Sequence, residues 1–464
     1  MREWIRRRTG RGERWFVSVL LANMVLGTSS VLIPLMLSSV LNRSVGTLGL
    51  QSGLVSLVGV AGSLLWGRLS DAAHRRKPFV VASYGVVGLS FLSMAFLPSF
   101  GPFLWVNMLM NFFWVANASV TVLIVIENGD RSAWEDKVSR LNRMGAIGWV
   151  LGLVLGSGAL AVGTYMVPEE LAIRGLFILI ALGGLLASWF ALRYIPRTEP
   201  VYTQRKFRGV ALAMGNFLFE KRRFAPFHLY HRLKPKRVLA ALRNPEGFRP
   251  GTKRFLLATF VTFLGLGLFG IPLPLLLSEQ FGYSASFVFA LFALQHFGVV
   301  LAFPLAAKRI KRRGNRTVQI GVVGVRMLLF AVTALFLALS SGPPMLPFLL
   351  IGFAIYGLSW SYLQLSGVAL TTRLAKRENR GLALGLYNAL AGIGWVVAGL
   401  LGGWLAQAFG YAIAFGASAG TMLLALGMLL TVPTPSAARA KDGATEPRSD
   451  KVGQLRNESP ASVN

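Results

Sequence analysis

Apolar residues run along the chain in twelve stretches, near 15 to 37, 46 to 67, 78 to 98, 101 to 126, 141 to 163, 171 to 194, 254 to 277, 283 to 307, 317 to 340, 345 to 370, 381 to 407 and 410 to 432. About 20 apolar residues are what a helix needs to cross the hydrocarbon of a bilayer. The pattern therefore predicts an all-α integral membrane protein with twelve transmembrane helices. The 51 glycines are spread through these runs and do not collect between them. In lipid, small side chains of this kind let helix backbones approach closely.

The runs also repeat. Ile147, Gly148, Trp149 and Val150 return as Ile393, Gly394, Trp395 and Val396, an offset of 393 − 147 = 246, and at that offset Trp114 meets Trp360, Asn142 meets Asn388 and Gly156 meets Gly402. A second match has an offset of 266 − 26 = 240, carrying Leu26, Gly27, Pro34, Leu35, Leu37 and Ser38 onto Leu266, Gly267, Pro274, Leu275, Leu277 and Ser278. Both offsets carry helix one onto seven and helices four and five onto ten and eleven. Two homologous six-helix bundles are expected, an arrangement of parallel repeats found in transporters.

Composition agrees with the pattern: 54% of the 464 residues are hydrophobic and the mean hydropathy is +0.57, too apolar for a soluble chain of this length. The net charge of +30 raises nucleic acid as a partner, but the positions of the charges argue against it. Of the 48 Lys and Arg residues, only Arg43, Arg174 and Arg326 do not fall on one side of the predicted topology. This is the positive-inside rule, repeated. It predicts cytoplasmic N- and C-termini, no nucleic acid, and attraction to anionic lipids of the inner leaflet. The arginine-rich start has the look of a signal-peptide n-region, yet the apolar run behind it is long and lacks a small-residue cleavage pattern, so it is expected to remain as the first membrane helix. With no cysteine, disulfides and thiolate chemistry are excluded.

The expected organisation is a basic cytoplasmic N-terminus (1–14), an N-terminal bundle (15–194), a basic cytoplasmic central loop (195–253), a C-terminal bundle (254–432) and a disordered cytoplasmic tail (433–464). The central loop mixes apolar and basic residues at spacings that suit short helices on the membrane surface, as well as a plain solvated linker.

Between the second and third runs the chain reads Gly67, Arg68, Leu69, Ser70, Asp71, Ala72, Ala73, His74, Arg75, Arg76, Lys77, Pro78. A glycine, a leucine two later, an aspartate four later and a basic cluster from eight later resembles the signature loop of the major facilitator superfamily. His74 stands where that family usually has a second glycine, and Ala72 where it often has a basic residue. The resemblance, covering roughly 15 to 432, implies two bundles that rock about a central site, with no cofactor and no metal. It implies a conformational latch built from Gly67, Asp71 and Arg75, the last pairing with an acid after span four, where Glu127 and Arg131 lie. Gly145, Gly148, Gly152, Gly156 and Gly158 resemble the glycine-rich element of drug antiporters in this superfamily, without its Gly-Pro pair.

In that fold helices one, four, seven and ten line the cavity. Asn107, Asn111, Trp114, Ala118 and Thr121 share one stripe of span four, and Tyr356, Trp360, Gln364, Gly367 and Thr371 one stripe of span ten, by three-and-four spacing. Asn23 in span one and the matched pair Asn142 and Asn388 add amides. Polar groups at this depth serve either helix packing or a solute. The expected substrate-binding residues are Asn23, Asn107, Asn111, Trp114, Tyr356, Trp360, Gln364 and Asn388. This aromatic, amide-rich set suits a small neutral or amphipathic organic solute, with efflux, uptake of a sugar-like solute, and a non-transporting sensor or lipid-binding scaffold all open. Coupling to a proton lacks a mid-membrane carboxylate, His296 being a weak substitute. Arg326, the one charge well inside a span, is read as structural, bridging to carbonyls or snorkelling. Sparse histidine, no mid-membrane acid and no nucleophile-base spacing argue against an enzyme. A multi-pass monomer in the cell (inner) membrane is expected.

Overall fold

The computed structural model describes residues 14–73, 76–127, 134–196, 251–340, 342–375 and 380–433. Twelve long helices account for nearly all of them: α1 (Phe16–Leu35), α2 (Val45–Ala73), α3 (Lys77–Phe96), α4 (Phe100–Glu127), α5 (Trp134–Met166), α6 (Glu169–Tyr194), α7 (Thr252–Gly270), α8 (Ala285–Arg313), α9 (Asn315–Leu339), α10 (Leu346–Leu374), α11 (Arg380–Phe409) and α12 (Tyr411–Leu430). Among the described residues eleven of them are long and apolar enough to cross a membrane. The twelfth, α4, has 28 residues and carries its one charged residue, Glu127, at its end. The all-α, twelve-helix expectation holds.

Two departures from regular helix repeat at the 240 offset. After Pro34, α1 widens into a π-turn at Met36–Val40. After Pro274, a short helical turn at Leu273–Leu275 following α7 widens in the same way at Leu276–Gln280. The wide hydrogen bonds agree pair by pair: Leu41 N to Met36 O at 2.9 Å and Phe281 N to Leu276 O at 3.1 Å, then Arg43 N to Leu37 O at 2.7 Å and Tyr283 N to Leu277 O at 3.0 Å. Proline lacks an N–H and its ring crowds the preceding turn. Downstream of the proline the backbone bonds take the wider spacing in both repeats.

Each half is built on the same contacts. α1 packs on α5 and α6, α4 on α2 and α3, and α3 on α6; α7 packs on α11 and α12, α10 on α8 and α9, and α9 on α12. The crossings correspond in detail. A methyl group at Gly148 would lie 2.2 Å from Leu20 O, and one at Gly394 would lie 2.8 Å from Phe260 O; these are equivalent positions of the two repeats.

The halves meet along two main seams, α2 with α11 and α5 with α8, which the repeat also relates. On the first, Gly49 lies against Gly399 and Gly403, Gly53 against Val396 and Leu400, and Gly46 against Gln407, while Ser44 Oγ donates to Gln407 Oε1 at 2.9 Å. On the second, Gly156 faces the Phe289 ring, and Ser157 Oγ donates to Ser286 O at 2.8 Å. Among the described residues these contacts concentrate at the end where α2 and α8 begin and α5 and α11 finish. At the opposite end lie the basic helix termini, where Lys77 Nζ donates to Ile195 O at 3.0 Å, Arg316 to Leu430 O at 2.7 Å and Arg254 to Thr431 O at 3.4 Å.

Candidate solute site between the two bundles

The two seams continue toward the basic end as polar and aromatic stripes. On α11 the stripe through Gly403, Gly399 and Val396 reaches Gly392, against Val60, then Asn388 and Gly385, both exposed. On α5 the corresponding stripe runs from Ser157 through Trp149 to Asn142, also exposed. The matched asparagines thus sit where packing between the halves gives way to open surface. Asn388 is the one predicted substrate residue that is exposed.

Midway along the second seam, the Trp149 ring stacks on His296 at 5.5 Å, 19° from parallel, and His296 Nδ1 meets Phe292 O at 3.0 Å. Sequence reasoning singled out Trp149 only as a mark of the repeat and His296 only as a titratable residue. Nothing in one-dimensional spacing joins α5 to α8.

The other expected residues divide into two groups. Asn23 donates to Val19 O of its own helix at 2.8 Å, and Asn111 to Val55 O of α2 at 2.7 Å. The Asn111 amide ties α4 to α2, while that of Asn23 stays within α1. Asn107 is buried with Oδ1 free of any protein donor. Trp114, half-buried, packs at 6.4 Å from the Tyr84 ring.

On α10, Tyr356 and Trp360 form one cluster with an α9 residue. Arg326 is wholly buried; its Nη2 donates to Tyr356 O at 2.9 Å, and its guanidinium lies 4.7 Å from the Tyr356 ring centre and 5.6 Å from that of Trp360. The carbonyl bridge expected for Arg326 is present. Snorkelling is not: the side chain turns inward from α9 onto the stripe of α10. Trp360 also meets Phe263 of α7 edge-on at 6.3 Å, Ser366 donates to Gln319 across α9 and α10, and Gln364 stays half-buried. The signal for Arg326 was in the sequence, as the lone mid-span charge; spacing within one helix could not show which rings it meets.

The latch residues fall differently. Gly67 and Asp71 lie on the last turns of α2 and Glu127 ends α4, whereas Arg75 and Arg131 lie outside the described residues.

Twelve apolar helices in two like bundles, related by an internal repeat and joined along two seams, define a multi-pass membrane transporter architecture. The sequence matches the Major Facilitator Superfamily over residues 15–364 and 255–461, and the chain belongs to that family. The solved structures most similar to it include the nucleoside transporter NupG, at 14% identity with a TM-score of 0.67, covering 91% of this chain and 99% of that one. A structure of proton dependent oligopeptide transporters aligns at 14% identity and a TM-score of 0.68, covering 91% and 98%. A bacterial homologue of the human lysosomal transporter Spinster, in an inward-facing and occupied conformation, aligns at 12% and 0.64, covering 92% and 97%. No curated protein matches the sequence.

Proposed function

We infer that the protein is a secondary transporter that moves a small amphipathic organic solute, with efflux the favoured direction, by rocking its two bundles about a site lined by Trp114, Tyr356, Trp360 and Gln364. The observation that carries this reading is that, among the described residues, the close contacts between the halves lie toward one end. Close glycine packing joins α2 to α11 beside Gly49 and Gly399, and the same two helices leave Asn388 exposed toward the basic end. By the positive-inside rule the basic end is cytoplasmic, so this arrangement is open to the cytoplasm and closed to the outside. Alternating access follows if the seams separate as the basic ends approach. The chain acts as a monomer in the cell membrane, its basic surface against anionic inner-leaflet lipids.

The test is flux in proteoliposomes. Trp114→Ala and Trp360→Ala are each expected to reduce solute uptake about tenfold or more while leaving the purified protein monodisperse, since each removes an aromatic face that a desolvated solute would contact. Unchanged apparent affinity in both variants would remove these residues from the site.

The latch is part of the same proposal. Asp71, at the cytoplasmic end of α2, is suited to hold the basic ends together in the outward-open state, aided by the Arg75 charge. Asp71→Asn is expected to lower turnover several-fold at unchanged expression, through loss of a charge-assisted contact. Wild-type turnover in that variant would argue that Asp71 is a solvated loop charge.

A further inference from the structure

Arg326 has an environment that the transport cycle so far leaves unexplained. It is the largest wholly buried side chain among the described residues. One of its nitrogens, Nη2, is bonded, to the Tyr356 carbonyl; Nε and Nη1 are buried without any acceptor. Among the described residues no carboxylate pairs with it; the side-chain ion pair formed among them joins Arg174 to Glu170 at the start of α6. Guanidinium stays protonated in proteins and offers five N–H donors in a planar fork. A buried cation is normally paired, and an ionisable group within the membrane marks a ligand or ion path more often than a packing role. The rings of Tyr356 and Trp360 supply part of the missing stabilisation through their π faces. The Tyr356 hydroxyl adds a nearby side-chain contact, but the ring faces cannot accept the in-plane hydrogen bonds that Nε and Nη1 still offer.

We propose that the unbonded N–H groups of the Arg326 guanidinium are the docking point for an anionic group on the transported solute, a carboxylate or a phosphate or sulfonate ester, whose aromatic or aliphatic body lies against Trp360. This deepens the transport reading and rests on it. Nη2 keeps one N–H beyond the one given to the Tyr356 carbonyl, so with Nε or with Nη1 it presents two parallel donors to two oxygens of such a group, a geometry that lysine does not reproduce. Trp360 is half-buried on the α10 stripe and lies over the guanidinium, so its ring is placed to take the body of a solute whose anionic end reaches Arg326. The substrate class narrows from an amphipathic molecule to an amphipathic anion. Such a solute would neutralise an internal charge on binding, which couples its own binding to the stability of the α9 and α10 pair.

The experiment uses matched probes: 2-naphthoate against 2-naphthamide, and 2-naphthalenesulfonate against 2-naphthyl methyl sulfone, measured by thermal shift of the detergent-purified protein and by counterflow in proteoliposomes. Wild type is expected to respond to the two anions at least tenfold more tightly than to their neutral partners. Arg326→Gln is expected to abolish that preference, and Arg326→Lys to recover it in part, with monodispersity and melting temperature recorded for each. Equal response of wild type to acid and amide overturns the proposal while transport of the amide leaves the transporter reading intact. Retained anion preference in a folded Arg326→Gln also overturns it. Absence of binding and flux for all four probes counts against both readings. Should Arg326→Gln fail to fold, the wild-type comparison of acid with amide decides the matter by itself.

Discussion

Gly152→Val and Gly357→Val are each expected to prevent recovery of a folded, monodisperse protein. A Cβ at Gly152 would sit 1.9 Å from Met24 O, and one at Gly357 would sit 1.9 Å from Gln295 O. Both obstacles are helix backbone, α1 in one case and α8 in the other, so no rotamer change relieves them. Overpacking a well-filled core costs about 1–3 kcal/mol; forcing two helix axes apart belongs at or beyond the top of that range. The loss is larger in a membrane, where close backbone approach is itself what holds helices together. Gly175→Val and Gly416→Val, with no atom within 4 Å of the new Cβ, serve as controls and should leave stability within about 0.5 kcal/mol, as for open surface positions. Melting temperature by intrinsic fluorescence in detergent reads all four. The seam glycines should behave differently. Gly399→Val would meet the Gly53 backbone at 2.5 Å, but this obstacle lies in the opposite half, which can move away as a body. That variant is expected to fold and to lose transport, because closure of the outer end is blocked.

The sequence disclosed the fold through two independent periodicities: apolar runs long enough to span, and a duplication that carried Trp149 onto Trp395 and Pro34 onto Pro274. Both survive in the structure because helix length and backbone approach are local properties of residue type. The π-turns at Met36–Val40 and Leu276–Gln280 were hidden, since a one-residue widening leaves the count of apolar residues unchanged. Within the candidate site, the stripe of α10 was legible from three-and-four spacing. The fates of individual amides were not. Asn111 bonds α2 and Asn388 faces open surface, a difference decided by which neighbouring helix lies opposite, and spacing within one helix carries no information on that. Arg326 shows the same limit. Its rarity was visible in the sequence; the ring pair it stacks on came only with the packing of α9 against α10.

On the proposed cycle the two bundles separate at the Gly49–Gly399 seam in every turnover. The absence of cysteine gives a clean background for testing it by cross-linking. A Cβ at Gly46 lies 3.7 Å from the Gln407 Cβ, within the 3.5–4.5 Å that a disulfide bridges without strain. Gly46→Cys/Gln407→Cys should therefore form a bond across α2 and α11 at the outer end under mild oxidation, scored by loss of maleimide labelling. Counterflow in proteoliposomes is the measurement. Oxidised double mutant is predicted to fall to the level of empty vesicles and to regain flux when dithiothreitol is added, with both single cysteine variants unaffected by oxidant. Full flux from quantitatively cross-linked protein would contradict alternating access through this seam.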